Sequence, residues 1–270
     1  INPAKAWPEM VHRYAAAILV LLSFAAAVLI LHQRKLAQQP VLLATLLLML
    51  LFWQGLLGKW TVTLRLHPLV VMSHLLGGFA LLSVLWLLLL RLKPFHIPAC
   101  TSQEEKLRPW AILGLLFIIL QISLGGWTSA NYAAFVCTDF PMCQGQWWPP
   151  MNFSAGFHLS FNAEQNYEGG VLSTTARTAI QMSHRLGALI TTSYLACLIY
   201  KLFGTRQGSL LRRIGLILLL LLIIQISLGA LNVLWALPLL IAMAHNAVAA
   251  LLLLSLITLN IYLTLDKGKI

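Results

Sequence analysis

The chemistry available to this chain of 270 residues begins with its eight histidines. His32, His67, His96 and His158 fall at the ends of apolar runs or in connecting segments, where an imidazole needs no special explanation. The other four interrupt apolar sequence: His12 in EMVHRYAAAI, His74 in VMSHLLGG, His184 in MSHRLG and His245 in AHNAVAALL. An ionisable group inside an apolar span is costly and points to function. A neutral imidazole offers a lone pair to a metal. Two imidazoles from facing helices are a common axial pair for a haem iron. The plain alternative, a histidine hydrogen-bonded to a neighbouring helix, accounts for one such residue better than for four.

Residues beside these histidines extend the reading. Arg13 and Arg185 directly follow His12 and His184, and a guanidinium fork matches a carboxylate such as a haem propionate. Snorkelling to lipid headgroups is the competing role. One turn on lie Ala15, Gly77 and Gly187, small enough to admit a flat macrocycle, with Val248 the exception; taken alone, such residues read better as ordinary close helix packing. Glu9 precedes His12 by three residues, on the same helical face, whereas Gln181 holds that place before His184. A carboxylate near an apolar site is unfavourable unless paired, and it can serve as a general base. The amide keeps the shape without the proton chemistry. The contrast suggests a reactive first site and a structural or electron-carrying second site.

The elements that must position these residues are membrane helices. Apolar residues make up 60% of the chain and charged residues 9%, and the mean hydropathy is +0.85. That balance cannot cover a water-facing surface. It excludes a soluble globular protein, and with it a nucleic-acid binder, despite a net charge of +11. Runs long enough to cross a bilayer core of about 30 Å occur near 8–32, 41–63, 67–92, 109–129, 174–203, 209–232 and 237–264. Pro40, Pro68, Pro109 and Pro238 punctuate them, as proline does where a missing N–H is harmless. The runs do not alternate, so strands of a membrane barrel are excluded.

Lys and Arg set the expected orientation. One side collects Arg34, Lys35, Arg91, Lys93, Lys106, Arg108, Lys201, Arg206, Arg212, Arg213, Lys267 and Lys269; the other keeps Lys5, Arg13, Lys59, Arg65, Arg177 and Arg185. The positive-inside rule places the first set in the cytoplasm. The N-terminus of this chain and the long loop 130–173 are then extracytoplasmic, and the C-terminus is cytoplasmic. All four membrane histidines fall within about 5–15 Å of the outer boundary at 1.5 Å per residue.

The sequence also repeats itself. His12 and its surroundings match those of His184, 172 residues later; His74 matches His245 and Gln54-x-x-x-Gly58 matches Gln225-x-x-x-Gly229, each 171 residues later. Spans one to three therefore pair with spans five to seven as a direct repeat. Span four, with Gln121-x-x-x-Gly125-Gly126-Trp127, has no counterpart in this chain. The expected fold is an all-α polytopic membrane protein of two pseudo-symmetric four-helix bundles, the first helix of the first bundle lying upstream of Ile1. The expected division is 1–95 as an N-terminal half-bundle, 96–108 as a cytoplasmic linker and 109–270 as a C-terminal four-helix bundle.

Glu9-x-x-His12-Arg13, the motifs around His74, His184 and His245, and the loop CTDFPMCQGQWWPP together resemble the haem A synthase family, over essentially the whole chain. The resemblance implies two four-helix halves and oxidation of the C8 methyl of haem O to the formyl group of haem A, by successive hydroxylation, for terminal cytochrome oxidase. It implies that His12 and His74 hold the substrate haem, that Glu9 is the catalytic carboxylate, and that His184 and His245 ligate a haem b cofactor. It further implies a bacterial plasma (inner) membrane location and partners such as haem O synthase and oxidase assembly factors.

Cys137 and Cys143 lie six residues apart in the long loop, on an oxidising side where a disulfide persists; bracing and redox exchange are both open to such a pair. Cys100 and Cys197 fall near the reducing side and read as unpaired. Trp147, Trp148, Pro149 and Pro150 read as an interfacial lid over the second haem. Two other functions share the four histidines: a quinone-linked dihaem b-type electron carrier and a haem transporter or chaperone. The carrier does not require Glu9 in one block and Gln181 in the other, and a transporter finds no ionisable residues along the inner half of the bundle to mark a path across the membrane. A haem prenyltransferase lacks its Asp-rich pair, since the chain has only seven acidic residues.

Overall fold

The structure is a computed structural model that describes residues 3–36, 39–92, 102–159, 162, 164–207 and 209–264. Lys93, His96, Cys100, Lys267, Lys269 and the first part of the proposed linker, 96–101, lie outside the described residues. Nine α-helices are seen among them: α1 (Pro3–His32), α2 (Val41–Thr63), α3 (Pro68–Leu92), α4 (Ser102–Glu105), α5 (Arg108–Ala130), α6 (Phe153–Gly156), α7 (Thr174–Phe203), α8 (Leu210–Leu234) and α9 (Leu239–Thr264). No strand occurs among the described residues. Seven of the helices are long and apolar enough to cross a membrane, and they coincide with the seven runs read from sequence. A backbone in hydrocarbon must satisfy its own polar groups, which a helix does residue by residue.

Local sequence sets the helix ends. Pro68 opens α3, and Pro109 stands in the first turn of α5. Ser173 and Ser209 cap α7 and α8, their hydroxyls accepting from the N–H groups of Ala176 and Arg212. A cap of this kind stabilises a helix by about 1 kcal/mol.

Packing divides the chain into two units, Ile1–Lys59 with Gly77–Phe95, and Trp60–Leu76 with His96–Ile270. In the first, Ala27 and Ile30 of α1, Ala44, Leu47 and Leu51 of α2, and Leu81 and Leu88 of α3 form one buried cluster. Their spacing is that of a helix face. In the second, α5, α7, α8 and α9 close into a ring in which α5 and α8 each pack against both α7 and α9. Leu195, Leu198, Leu202, Leu218, Leu252 and Leu256 are fully buried there. Gly114 lets α5 approach closely: a Cβ on it would lie 3.2 Å from Leu198 and 3.6 Å from Leu256. Asn260 of α9 donates to the Ala111 carbonyl (3.0 Å), and the Tyr194 hydroxyl of α7 donates to that of Trp110 (3.0 Å).

The duplication is visible in the backbone itself. The α2–α3 turn places Arg65 and Leu66 at φ 48° and 62°; the α8–α9 turn places Ala236 and Leu237 at φ 54° and 59°. Leu66 N–H donates to Thr61 O at 2.9 Å, and Leu237 N–H donates to Asn232 O at 2.8 Å. Each residue of one turn corresponds to that 171 positions on in the other. Left-handed backbone is unfavourable for a residue with a Cβ, so its recurrence at four non-glycine positions marks inherited geometry.

Substitution at Gly114 tests the close helix contact. Gly114→Leu should destabilise purified protein by about 1–3 kcal/mol through overpacking, seen as a lower melting temperature. Gly55→Leu, where a Cβ meets nothing within 4 Å, should leave it unchanged.

Candidate functional site

The second unit brings His184 of α7 and His245 of α9 into one helical ring, with both side chains half-buried. Each is seated by the helix that precedes its own. A Cβ on Gly125 of α5 would lie 3.0 Å from Cε1 of His184, and one on Gly229 of α8 would lie 3.2 Å from Cε1 of His245. Four residues before each glycine stands a glutamine facing the same imidazole. Nε2 of Gln121 lies 3.0 Å from Nδ1 of His184 and donates to the His184 carbonyl at 3.0 Å. Nε2 of Gln225 lies 3.2 Å from Nε2 of His245. The Gln-x-x-x-Gly pattern marked the repeat in the sequence; its part in holding histidines emerges only with the helices paired.

The small residues after the histidines serve close helix packing. A Cβ on Gly187 would come 2.5 Å from Oε1 of Gln121, and Gly77 in the first unit is likewise filled by the Gln54 side chain. These glycines admit glutamine amides from a neighbouring helix.

Both arginines already have partners. Arg13 forms an ion pair with Glu9 one turn back on α1, both side chains 55% exposed. Arg185 donates to three backbone carbonyls of the long loop, Met142 (2.7 Å), Asp139 (3.0 Å) and Pro141 (3.3 Å), and its guanidinium lies 5.8 Å from the centre of the Phe140 ring. His12 is exposed on α1 in the first unit; His74 is half-buried on α3 in the second. Gln181, the counterpart of Glu9, is buried, and its Oε1 has no hydrogen-bond partner.

The loop over α7 is braced rather than loose. Cys137 and Cys143 form a disulfide and pack with Met182. The Asp139 carboxylate accepts from the N–H groups of Gln144 (2.7 Å) and Gly145 (2.8 Å). These bonds, that from Gly145 foremost, hold its carboxyl below the ordinary value of 3.8, with the Arg185 charge adding to the effect. Trp127 of α5 donates to the Gly156 carbonyl at 2.9 Å, and a Cβ on Gly156 would meet the Ala176 carbonyl at 2.7 Å. Trp147 and Trp148 are 70% and 65% exposed. The segment lying on α7 beside His184 is thus 139–142. Cys197 is a free, exposed thiol. His67 is buried edge-on to Tyr167, ring centres 4.7 Å apart.

Among the described residues, no three His, Cys, Asp or Glu side chains gather as a set able to hold a bare metal ion. A pair of imidazoles suits a metal whose remaining positions are filled by its own macrocycle. Nδ1 of His245 and Oε1 of Gln121 and Gln225 are buried without hydrogen-bond partners, so the site holds unused coordinating and accepting capacity. Haem fits this donor set.

Fold and site together define an integral membrane protein with paired histidines inside a helical bundle. The model of the COX15-CtaA family, cytochrome oxidase assembly proteins, matches residues 1–257, and this chain belongs to that family. It is 47% identical over 263 residues to a heme A synthase of Shewanella oneidensis, covering 97% of this chain and 78% of that one. Heme A synthases of Neorickettsia sennetsu and Flavobacterium psychrophilum are each 28% identical, over 91% of this chain and 71% and 70% of theirs.

The Asp139 anchor makes the loop sensitive to acid. Because folding lowers this pKa, its stabilising effect is complete above pH 3.8 and lost as pH falls through the depressed folded value. Fluorescence of the loop tryptophans should show an acid transition below pH 3.8 that Asp139→Asn abolishes. An unchanged transition in that variant would remove Asp139 from this role.

Proposed function

We propose that this protein is a haem A synthase, an oxidoreductase that converts the C8 methyl of haem O into the formyl group of haem A by successive hydroxylation. The observation that carries the reading is the pair of glutamine-seated imidazoles, His184 and His245, in a chain 47% identical to a named heme A synthase. His184 and His245 hold a haem b, which when bound supplies one-electron transfer. His12 and His74 hold the substrate haem, because the repeat gives them the places of His184 and His245. Glu9 is the proton acceptor of the reactive block, ion-paired with Arg13 one turn on. Gln181 has no such capacity, which leaves the second block to electron transfer.

Arg185 and the Cys137–Cys143 bridge brace the loop on α7 beside the second site. The domain division follows the repeat, with 1–95 carrying the substrate site and 109–270 the haem b site. The protein resides in a bacterial inner membrane, with loop 130–173 outside and the C-terminus in the cytoplasm. Haem O synthase and oxidase assembly factors are its partners.

Incubating purified protein with haem O and analysing the extracted haems tests the activity. Hydroxylated and formyl products are expected; unchanged haem O would favour a carrier or transporter. Glu9→Gln should bind haem O and lower turnover at least about 100-fold, the scale of general-base effects; undiminished turnover overturns the assignment. His184→Ala and His245→Ala should each abolish the low-spin spectrum of the resident haem. Retention in both variants would show that the iron ligands lie elsewhere.

A further inference from the structure

Resting on the assignment of His184 as an iron ligand, we infer that Gln121 is its positioning residue, fixing the rotation of the imidazole and accepting the proton of the ring nitrogen that iron does not take. One carboxamide reaches both the ring and the main chain of His184, at 3.0 Å each. Two glycines make this possible. Gly125 leaves space for the ring against α5, and Gly187 leaves space for the amide against α7. A Cβ at either position would intrude at 3.0 Å or less.

The amide stands at Nδ1, which leaves Nε2 as the nitrogen for iron. A ring that gives its Nε2 lone pair to a metal carries its proton on Nδ1 and needs an acceptor there. Oε1 of Gln121 is buried and has no partner. A half-turn about the terminal bond of the side chain exchanges the amide nitrogen for this oxygen and gives up the bond from Nε2 to the His184 carbonyl. The acceptor that a ligated imidazole requires is therefore already in the site. Gln225 likewise meets His245, at 3.2 Å, but at Nε2, so the ring nitrogen left open there is Nδ1.

Such a bond makes the imidazole a stronger donor and stabilises ferric iron, which lowers the reduction potential. An amide serving only to tie α5 to α7 would affect stability and leave the potential alone.

The test compares wild type, Gln121→Leu and Gln121→Glu, each purified with its resident haem, by redox titration and low-temperature electron paramagnetic resonance. Gln121→Leu removes donor and acceptor and should raise the potential and broaden the low-spin signal. Gln121→Glu keeps an acceptor and adds charge, and should bring the potential below that of wild type. Equal potentials in all three proteins, or a shift of the same sign in both variants, overturns the inference. If Gln121→Leu does not fold, the sign of the Gln121→Glu shift decides. A low-spin spectrum retained in His184→Ala would instead refute the ligand assignment itself, so the two failures are distinguishable.

Discussion

An imidazole inside an apolar helical bundle has two ring nitrogens and no water with which to satisfy them. Leaving a buried polar group without a partner costs about 1–3 kcal/mol, so every membrane histidine requires a neighbour built for it. Here the neighbour is a glutamine on the preceding long helix, with a glycine four residues on to let the ring approach. Much of the second unit follows from this. α5 must lie against α7, and α8 against α9, closely enough for a side-chain amide to span the gap. Gly114 and the fully buried leucines around it allow that approach.

The duplicated blocks show how one geometry supports different chemistry. Their interhelix turns agree in dihedral angles and hydrogen bonds over corresponding residues. They differ in what the arginine meets. In the first block Glu9 pairs with Arg13 along the helix. In the second, Gln181 carries no charge, and Arg185 takes its acceptors from loop carbonyls instead.

Much of this architecture was legible in the sequence because membrane helices write themselves as unbroken apolar runs, and seven runs became seven long helices within a few residues at each end. The disulfide between Cys137 and Cys143 was legible as a close pair in a loop. What escaped depends on which helix faces which. Gln121 and His184 are 63 residues apart, and nothing in either local sequence names the other. The glycines after the histidines were visible as small residues, but their occupants come from other helices. Arg185 appeared free to meet a carboxylate because backbone carbonyls leave no trace in a string of side chains.

The arginine latch also explains why the loop carries so much internal structure. A guanidinium in an apolar helix needs acceptors that do not wander, and backbone carbonyls of a flexible loop would exchange it for solvent. The disulfide closes the ends of 137–143, and the Asp139 carboxylate fixes the turn at Gln144 and Gly145. The carbonyls of Asp139, Pro141 and Met142 are thereby held toward one point, where Arg185 sits. Since Arg185 adjoins His184 in the chain, the same construction holds α7 in rotation at the level where Gln121 meets the imidazole. The loop outside the bundle and the amide within it therefore constrain one helix segment from two sides, and the histidine lies between them.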